Sequence, residues 1–152
     1  MCSVLHNARS DDKLSRQIGY LMKIINDRIK VNADSDLKEH NLTLTQSKVL
    51  AFLNSRGGSS TQKEIEDFLN VTHPTVVGVV TRMEQNGFLR CRVDSSDKRN
   101  KIVALTEDAE STGRDMEAKI EQFEQKMKRG LSDEQVKNFV ETLEHIYRNL
   151  SE

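Results

Sequence analysis

The segment from residue 87 to residue 106 constrains the fold more than any other part of this chain. Polar and apolar residues alternate from Phe88 to Val93 and again from Lys101 to Leu105, a period that is typical of β-strands. The loop that joins the two strands is polar, and its tip is basic. Because an isolated two-stranded hairpin is barely stable in water, we expect this one to pack against the helices that precede it.

The composition favours a mostly helical, soluble protein of one domain. The 152 residues include a single proline and few aromatic residues, while 31% of them are charged. A chain of this length buries roughly two-thirds of the surface that its unfolded form exposes. It contains no run of about 18 apolar residues, and residues 1–6 lack the pattern of a signal peptide. We therefore expect a cytoplasmic protein with no membrane partner.

Cysteines and histidines give no sign of a disulfide framework, a metal site or a redox cofactor. Cys2 and Cys91 are too few and too far apart for a framework or a metal knuckle, so both are expected to be reduced thiols. Cys91 is expected to be an ordinary strand residue. The histidines lack the spacing of metal ligands. We expect neither a metal nor another cofactor.

Charge is unevenly distributed, although the net charge is only −1. Between residues 72 and 103, six basic residues stand against three acidic ones, which gives this segment +3 and leaves −4 for the rest of the chain. The basic residues are Arg82, Arg90, Arg92, Lys98, Arg99 and Lys101. Such a distribution is expected where a protein meets DNA through one local surface.

The sequence before the hairpin predicts two short helices joined by a turn. A capping box at residues 61–64 opens the first helix. Three of its residues are predicted to point inward, namely Ile65, Phe68 and Leu69. Asn70-Val71 is predicted to form the turn, so the two helices are predicted to form a helix-turn-helix. A basic hairpin beside a helix-turn-helix is typical of a DNA-binding wing.

The second of these helices is predicted to leave one face free for a partner. Thr72 is its expected N-cap, Pro74 lies in its first turn, and Asn86-Gly87 ends it. The predicted inward face consists of Val76, Val79, Val80 and Met83. The opposite face consists of Pro74, Thr75, Gly78, Thr81, Arg82 and Gln85.

Longer helices are predicted on both sides of this region. Apolar residues recur every three or four positions in residues 10–31, and the polar segment 32–36 is expected to break that helix. The next helix is expected to have Thr45 as its N-cap and to end at Gly57-Gly58. The helix that follows Thr106 has few apolar residues, which suits an exposed arm better than a core element.

The last helix carries an apolar stripe that a monomer would leave partly uncovered. Ser132 and Gln135 form a capping box at its start. The stripe consists of Val136, Phe139, Val140, Leu143, Ile146, Tyr147 and Leu150. Together with Leu14 and Ile18 of the first helix, these residues are predicted to form a dimer interface.

From Leu42 to Ala109, the order and spacing of these features resemble the MarR family of winged helix-turn-helix transcriptional regulators. Five segments match in register, namely residues 42–46, 61–65, 72–77, 83–89 and 94–99. The most specific of them is the Asp-x-x-Asp-x-Arg pattern at residues 94–99, followed by an aliphatic strand that ends in Leu-Thr.

The resemblance implies a single, mainly α-helical chain over residues 1–152 with a small β-hairpin wing. Residues 42–105 would form the winged helix-turn-helix lobe that binds double-stranded DNA, and residues 10–31 and 107–152 would form dimerisation helices. The implied function is that of a homodimeric repressor on a pseudo-palindromic operator. A small phenolic or amphipathic ligand would release it, and Tyr20 and Ile24 are expected to line the effector pocket.

The resemblance also implies which residues touch DNA. The expected contacts are Thr61, Gln62, Thr72, His73, Pro74, Thr75, Val77, Gly78, Thr81, Arg82, Asp97, Lys98, Arg99 and Lys101. Arg99 is the residue matched to the minor groove. Asp97 is expected to orient its guanidinium through a charge-assisted hydrogen bond.

The chain departs from the family pattern at Val77-Gly78, where many relatives carry a polar or basic pair that reads bases. One explanation is close approach of the backbone to DNA at Gly78, with Pro74 and Val77 touching thymine methyl groups. The other is that the pair only relaxes packing. Specificity is expected to depend more on DNA shape than is usual.

Other classes of function fit the sequence less well. No glycine-rich phosphate loop follows a strand, and no catalytic triad is suggested, so we do not expect an enzyme. The alternative is a winged-helix module that binds proteins without touching DNA. The basic wing tip favours DNA, because an interaction module needs no arginine flanked by lysines there.

Overall fold

The computed structural model describes residues 13–152, which form six α-helices and a three-stranded antiparallel sheet. After a 3₁₀ turn at Lys13–Arg16, the elements are α1 (Ile18–Glu39), α2 (Leu44–Ser55), β1 (Ser59–Thr61), α3 (Gln62–Leu69), α4 (His73–Gln85), β2 (Leu89–Val93), β3 (Lys101–Leu105), α5 (Glu110–Lys128) and α6 (Asp133–Leu150). The predicted mainly helical fold with a small β wing is confirmed. Residues 10–12 of the predicted first helix, together with Cys2 and His6, lie outside the described residues.

The helices of the lobe pack around one apolar core. Its central side chains are at most 1% exposed, namely Val49, Leu50, Leu53, Ile65, Val76, Val80, Met83, Leu89 and Val103. The core also includes Leu37 of α1 and Met116 of α5. Elements on either side of residues 42–105 therefore complete the core of the lobe.

The first half of α5 is a core element, so the expectation of an exposed arm was wrong there. Gly113 and Met116 are buried. A Cβ at Gly113 would lie 3.1 Å from Leu105 Cδ1 and 3.4 Å from the carbonyl oxygen of Leu50. Because the glycine has no side chain, α5 can approach α2 and β3 closely enough to bury Met116.

The predicted break of the first helix at residues 32–36 was also wrong, because α1 continues to Glu39. Leu37 is 6% exposed and lies in the core. Lys126 on α5 donates a hydrogen bond to Asn32 Oδ1 at 3.1 Å. Burial and this contact outweigh the weak helix propensity of the polar segment.

The start of α2 differs by two residues from the prediction. Thr43, not Thr45, is the N-cap, since its hydroxyl accepts a hydrogen bond from the amide of Gln46 at 3.2 Å. The Gln46 side chain accepts one from the amide of Thr43 at 3.0 Å, which completes a capping box. The predicted end is confirmed, because Gly57 and Gly58 have φ values of 78° and 99°.

The wing is part of a three-stranded sheet in the order β1-β3-β2, rather than a hairpin alone. The central strand is β3, whose Val103 pairs with Ser60 of β1 on one side and with Cys91 of β2 on the other. A strand of three residues is too short to show a period of two, which is why the sequence did not reveal β1. The extra strand joins the wing to the start of α3.

Candidate DNA interface

The helix-turn-helix consists of α3 and α4, joined by residues 70–72. Asn70 adopts the left-handed conformation with φ 51°, which asparagine tolerates better than most residues. The predicted capping box of α3 is confirmed, with the Thr61 hydroxyl accepting from the amide of Glu64 at 3.1 Å. Thr72 occupies the N-cap position of α4, but its hydroxyl bonds the Thr75 hydroxyl at 2.9 Å instead of capping the backbone.

The outer face of α4 is exposed, as expected of a recognition helix. Exposed residues of this face are Thr72, His73, Pro74, Thr75, Thr81 and Arg82, while Val77 and Gly78 are half-buried. Val76, Val80 and Met83 hold the opposite face in the core. The burial pattern leaves small and mostly uncharged side chains facing away from the lobe.

Glu66 links the two helices of the motif. It accepts hydrogen bonds from Lys63 Nζ at 2.9 Å and from the His73 ring at 3.0 Å, and its side chain is only 15% exposed. The hydrogen bond from Lys63, followed by that from His73, lowers the pKa of Glu66. The contact from Glu66 to His73 spans the turn, so helical spacing within one element could not have revealed it.

The start of α3 is fixed by a second carboxylate. Glu64 accepts hydrogen bonds from the Ser60 hydroxyl at 2.5 Å and from the amide of Thr61 at 2.9 Å. The Ser60 bond is the largest contribution to lowering the pKa of Glu64 from 4.5 to about 2. Arg56 at the end of α2 lies 3.7 Å away. Glu64 therefore joins α2, β1 and α3.

Gln62 does not lie where a DNA contact requires it. Its side chain was expected to touch DNA, but the residue is 8% exposed and lies inside the lobe. Its Oε1 is buried and has no hydrogen-bond partner in the described part of the chain. A buried amide cannot reach a phosphate without opening the core, so we remove Gln62 from the predicted contacts. Thr61 is half-buried.

Asp97 shapes the backbone of the wing tip instead of orienting Arg99. Its Oδ1 accepts from the amide of Arg99 at 3.0 Å, and the ion pairs found within residues 13–152 do not join the two side chains. Asp94 acts similarly, accepting from the amide and hydroxyl of Ser96 at 2.9 and 2.8 Å. These bonds, with that from the Ser96 amide first, lower the pKa of Asp94. Two aspartates thus hold the loop closed.

The wing presents two exposed basic residues besides those that were expected to contact DNA. Lys98, Arg99 and Lys101 are exposed, as predicted. Arg90 and Arg92 are also exposed and lie on one face of β2, since strand residues two apart share a face. The alternation of β2 carried this signal, which could have added both arginines to the basic residues of the wing.

The base of the wing is joined to the end of α4. The Thr106 hydroxyl donates to the carbonyl of Gly87 at 2.7 Å, and Glu84 accepts from the amide of Cys91 at 2.9 Å. Burial, and then the neighbouring Glu84, raise the pKa of the Cys91 thiol. A raised pKa lowers the thiolate fraction, as expected of an ordinary strand residue.

A cavity of about 490 Å³ lies between α1, α2, α3 and α5. Its apolar lining consists of Ile29, Ala33, Leu37, Leu44, Phe68, Leu69, Met116, Ile120, Phe123 and Met127. Phe68 was expected to point inward, but it is 48% exposed and stacks on Phe52 with ring centroids 4.4 Å apart. Neither Tyr20 nor Ile24 lines this cavity, and their assignment to an effector pocket stays a prediction.

The residues expected at the dimer interface are uncovered in the single chain. No residue of α6 is buried. Six of the apolar residues concerned are between 47% and 83% exposed, namely Leu14, Ile18, Phe139, Val140, Tyr147 and Leu150. Val136, Leu143 and Ile146 are half-buried.

Residues 13–152 contain neither a candidate metal site nor a membrane-spanning helix. In this range, no cluster of three or more His, Cys, Asp or Glu side chains could hold a metal ion. No helix there is both long and apolar enough to cross a membrane.

Comparisons with known proteins agree with this geometry. The profile of the MarR family matches residues 40–100. The chain is 35% identical over 120 residues to YwoH of Bacillus subtilis (strain 168), an uncharacterized HTH-type transcriptional regulator, with 79% of this chain and 83% of YwoH covered.

Two solved structures extend the comparison. S. aureus MepR in complex with DNA superposes with a TM-score of 0.78 at 26% identity, covering 88% of this chain and 98% of MepR. BpsR of Bordetella bronchiseptica, whose DNA binding is regulated by 6-hydroxynicotinic acid, has the same fold with a TM-score of 0.72 at 23% identity, covering 88% and 94%. These similarities favour a DNA-binding regulator over the alternative of a winged-helix module that binds proteins without touching DNA. The chain belongs to the MarR family and is a DNA-binding transcriptional regulator, not an enzyme.

Proposed function

We propose that the chain acts in the cytoplasm as a homodimeric repressor on a pseudo-palindromic DNA operator, and that a small organic ligand releases it. The observation that carries the proposal is the exposed face of α4 beside a wing with five exposed basic residues, namely Arg90, Arg92, Lys98, Arg99 and Lys101. The rest of the chain is acidic, so this surface is the one suited to DNA.

The proposed dimer follows from the uncovered apolar residues of the terminal helices. α6 has a stripe of seven apolar residues but no buried residue in the single chain. A two-fold axis would cover the stripe with its own copy and place two lobes side by side. Two recognition helices related in this way fit major grooves about 34–36 Å apart, so the operator should be a pseudo-palindrome.

The two parts of the lobe would divide the work on DNA. The outer face of α4 would enter the major groove and contact base edges. Arg99 would reach the adjacent minor groove, while Lys98 and Lys101 would contact phosphates. The bonds of Asp94 and Asp97 would keep the tip in a fixed shape, so that the basic side chains lose little freedom on binding.

The proposed effector site is the cavity between the arms and the lobe. Its lining is largely apolar, and Lys48 and Ser47 supply polar groups, which suits a small phenolic acid. The cavity touches both α1 of the arm and α3 of the helix-turn-helix, so a ligand there would alter their spacing. Control of BpsR by 6-hydroxynicotinic acid supports this class of ligand. Ligand and DNA would then weaken each other's binding reciprocally.

The experiment that tests DNA binding removes charge from the wing. The double variant Lys98→Ala with Arg99→Ala should bind an operator duplex more weakly, and the slope of log affinity against log salt should fall by about two. Lys38→Ala is the matched control, because Lys38 is an exposed lysine of α1 outside the lobe. Unchanged affinity and slope in the double variant would remove the wing from the DNA interface.

The experiment that tests release titrates salicylate and 6-hydroxynicotinic acid against the DNA complex. Met116→Trp should fill the cavity and abolish the response to ligand. Tyr20→Ala tests whether Tyr20, which does not line the cavity, takes part in that response. If neither compound binds the free protein at millimolar concentration, this class of effector is excluded for the site.

A further inference from the structure

Two helical glycines lie in the lobe or against it, and only one of them is explained by packing. A Cβ at Gly113 would crowd the Leu105 side chain at 3.1 Å and touch the backbone of α2 at 3.4 Å, so close packing favours glycine there. Gly78 lies in the middle of α4, and apart from its chain neighbours and the nearby helix backbone, no heavy atom lies within 4 Å of the position that its Cβ would occupy. The fold therefore has room for a side chain at Gly78.

Glycine at this position weakens the helix, and no packing contact inside the protein compensates for this loss. A glycine in a helix interior is less favourable than alanine, because it loses more backbone freedom on folding. The φ angle of Gly78 is not positive, so the backbone does not demand glycine either. The advantage of having no side chain at Gly78 must then concern a molecule outside the chain, on the face that is proposed to meet DNA.

Most of the residues beside Gly78 on that face have short side chains. Residues three and four positions away lie beside it on a helix, which places Pro74, Thr75, Thr81 and Arg82 around the glycine. The Thr75 hydroxyl already bonds Thr72, and the His73 ring bonds Glu66. The α4 side chains that could bond a base through two atoms are Arg82 and Gln85, both in its last turn.

We propose that Gly78 is a specificity-determining residue, and that the space beside it receives the C5-methyl group of a thymine in the major groove. This inference rests on the proposed placement of α4 in that groove. Of the four bases, only thymine offers an apolar group there. A methyl group beside Gly78 would pack against the proline ring and the threonine methyl groups.

The test replaces thymine by uracil, which removes the methyl group and nothing else. A duplex is first recovered with the wild-type protein from a random DNA library, and each thymine is then replaced in turn by deoxyuridine. At one position in each half-site, the replacement should weaken wild-type binding about fivefold or more, as expected for the loss of one base contact. Gly78→Ala should bind the thymine duplex more weakly and should not weaken further with uracil at that position.

Stability separates this role from a structural one. Gly78→Ala should melt about 1–4 °C above the wild type while it binds DNA less well. Gly19→Ala is the matched control, because Gly19 is also a helical glycine with open space around it, but lies on α1. It should leave DNA affinity unchanged, and gel filtration checks that its assembly is intact.

The outcomes are distinguishable from failure of the proposed function. If the library yields no preferred duplex, the proposed operator binding fails. If a duplex is recovered but no uracil replacement weakens binding, or Gly78→Ala keeps the wild-type sensitivity to uracil, the methyl contact is wrong and the proposed function stands. The proposed methyl contact is also wrong if Gly78→Ala loses the same affinity for the thymine and uracil duplexes while wild-type binding is insensitive to uracil.

Discussion

The winged lobe and the last helix start from similar local signals but use their apolar residues differently. α3 and α6 both open with a capping box, at Thr61 and at Ser132. Ile65 of α3 is fully buried in the core of the lobe, whereas α6 has no buried residue in spite of its apolar stripe. The comparison teaches that capping and periodicity determine where a helix forms, while its stability depends on what covers it.

This difference divides the chain by function. The core of the lobe is complete within the single chain, with Leu37 of α1 and Met116 of α5 included, so the lobe can present a rigid surface to DNA. The terminal helices carry apolar surface that the single chain does not cover, which suits the proposed interface. A sharp test must therefore separate loss of assembly from loss of folding.

The largest expected effect is on assembly. Leu143→Glu would bury a charge in the proposed interface, and the two-fold axis would bring in two of them. Each unpaired charge costs several kcal/mol, so association should weaken by about a thousandfold or more. Sedimentation should then report a monomer, while circular dichroism should still report a largely helical lobe.

Asn138→Glu is the matched control, since it adds the same charge to an exposed polar position of α6. It should remain a dimer. A dimer in both variants would place the interface elsewhere.

The second prediction concerns the core of the lobe, where two strand valines differ in burial. Val103 on β3 is 0% exposed, and Val93 on β2 is 59% exposed. Val103→Ala should lower the free energy of unfolding by about 2–3 kcal/mol, because it removes buried methyl groups and leaves a cavity. Val93→Ala should change it by less than about 0.5 kcal/mol.

Urea unfolding in the monomeric Leu143→Glu background measures both values. Equal effects there would mean that the lobe does not keep its own core without the dimer.

Local signals in the sequence were sufficient for much of the lobe. The capping boxes at Thr61 and Ser132 and the glycine stops were predicted at the correct residues, because each depends on neighbours within four positions. The alternation of β2 and β3 gave the wing within one residue. The inward face of α4 was also predicted, because Val76, Val80 and Met83 follow the helical period.

Contacts between distant residues were beyond these signals. α1 continues past residue 32 because Leu37 reaches the core, and no local pattern shows this. The burial of Gln62 depends on how β1 and α3 meet. Asp97 was assigned to the guanidinium of Arg99 from spacing alone, but the turn geometry brings the amide to the carboxylate instead.

The third prediction tests where the lobe meets the arm. Gly113→Ala should lower the free energy of unfolding by about 1 kcal/mol, the lower end for overpacking, since the tightly packed Leu105 side chain must move to admit the new methyl group. Gly19→Ala, in open space on α1, should be neutral or stabilising. Thermal melting of both variants gives the comparison, and a stabilised Gly113→Ala would show that α5 does not pack so closely on α2.

The smallest effect concerns Glu64, which joins three elements of the lobe at its surface. Its pKa is lowered from 4.5 to about 2, first by the Ser60 hydroxyl and then by Thr61. A carboxylate with a lowered pKa stabilises the fold above its unfolded pKa, and this stabilisation is lost as the pH falls through the folded pKa. The wild type should therefore be more stable than Glu64→Gln at neutral pH, and the difference should vanish between about pH 4.5 and pH 2.

Melting temperatures measured across this range give the difference between the two proteins at each pH. Glu144→Gln on α6 is the matched control, because within residues 13–152 no hydrogen bond or ion pair is found for Glu144. Its stability should differ from that of the wild type by less than about 0.5 kcal/mol, as is usual for a substitution at the surface. If Glu64→Gln behaves in the same way, the carboxylate of Glu64 does not hold β1 against α3, and the junction of the lobe must depend on its apolar core alone.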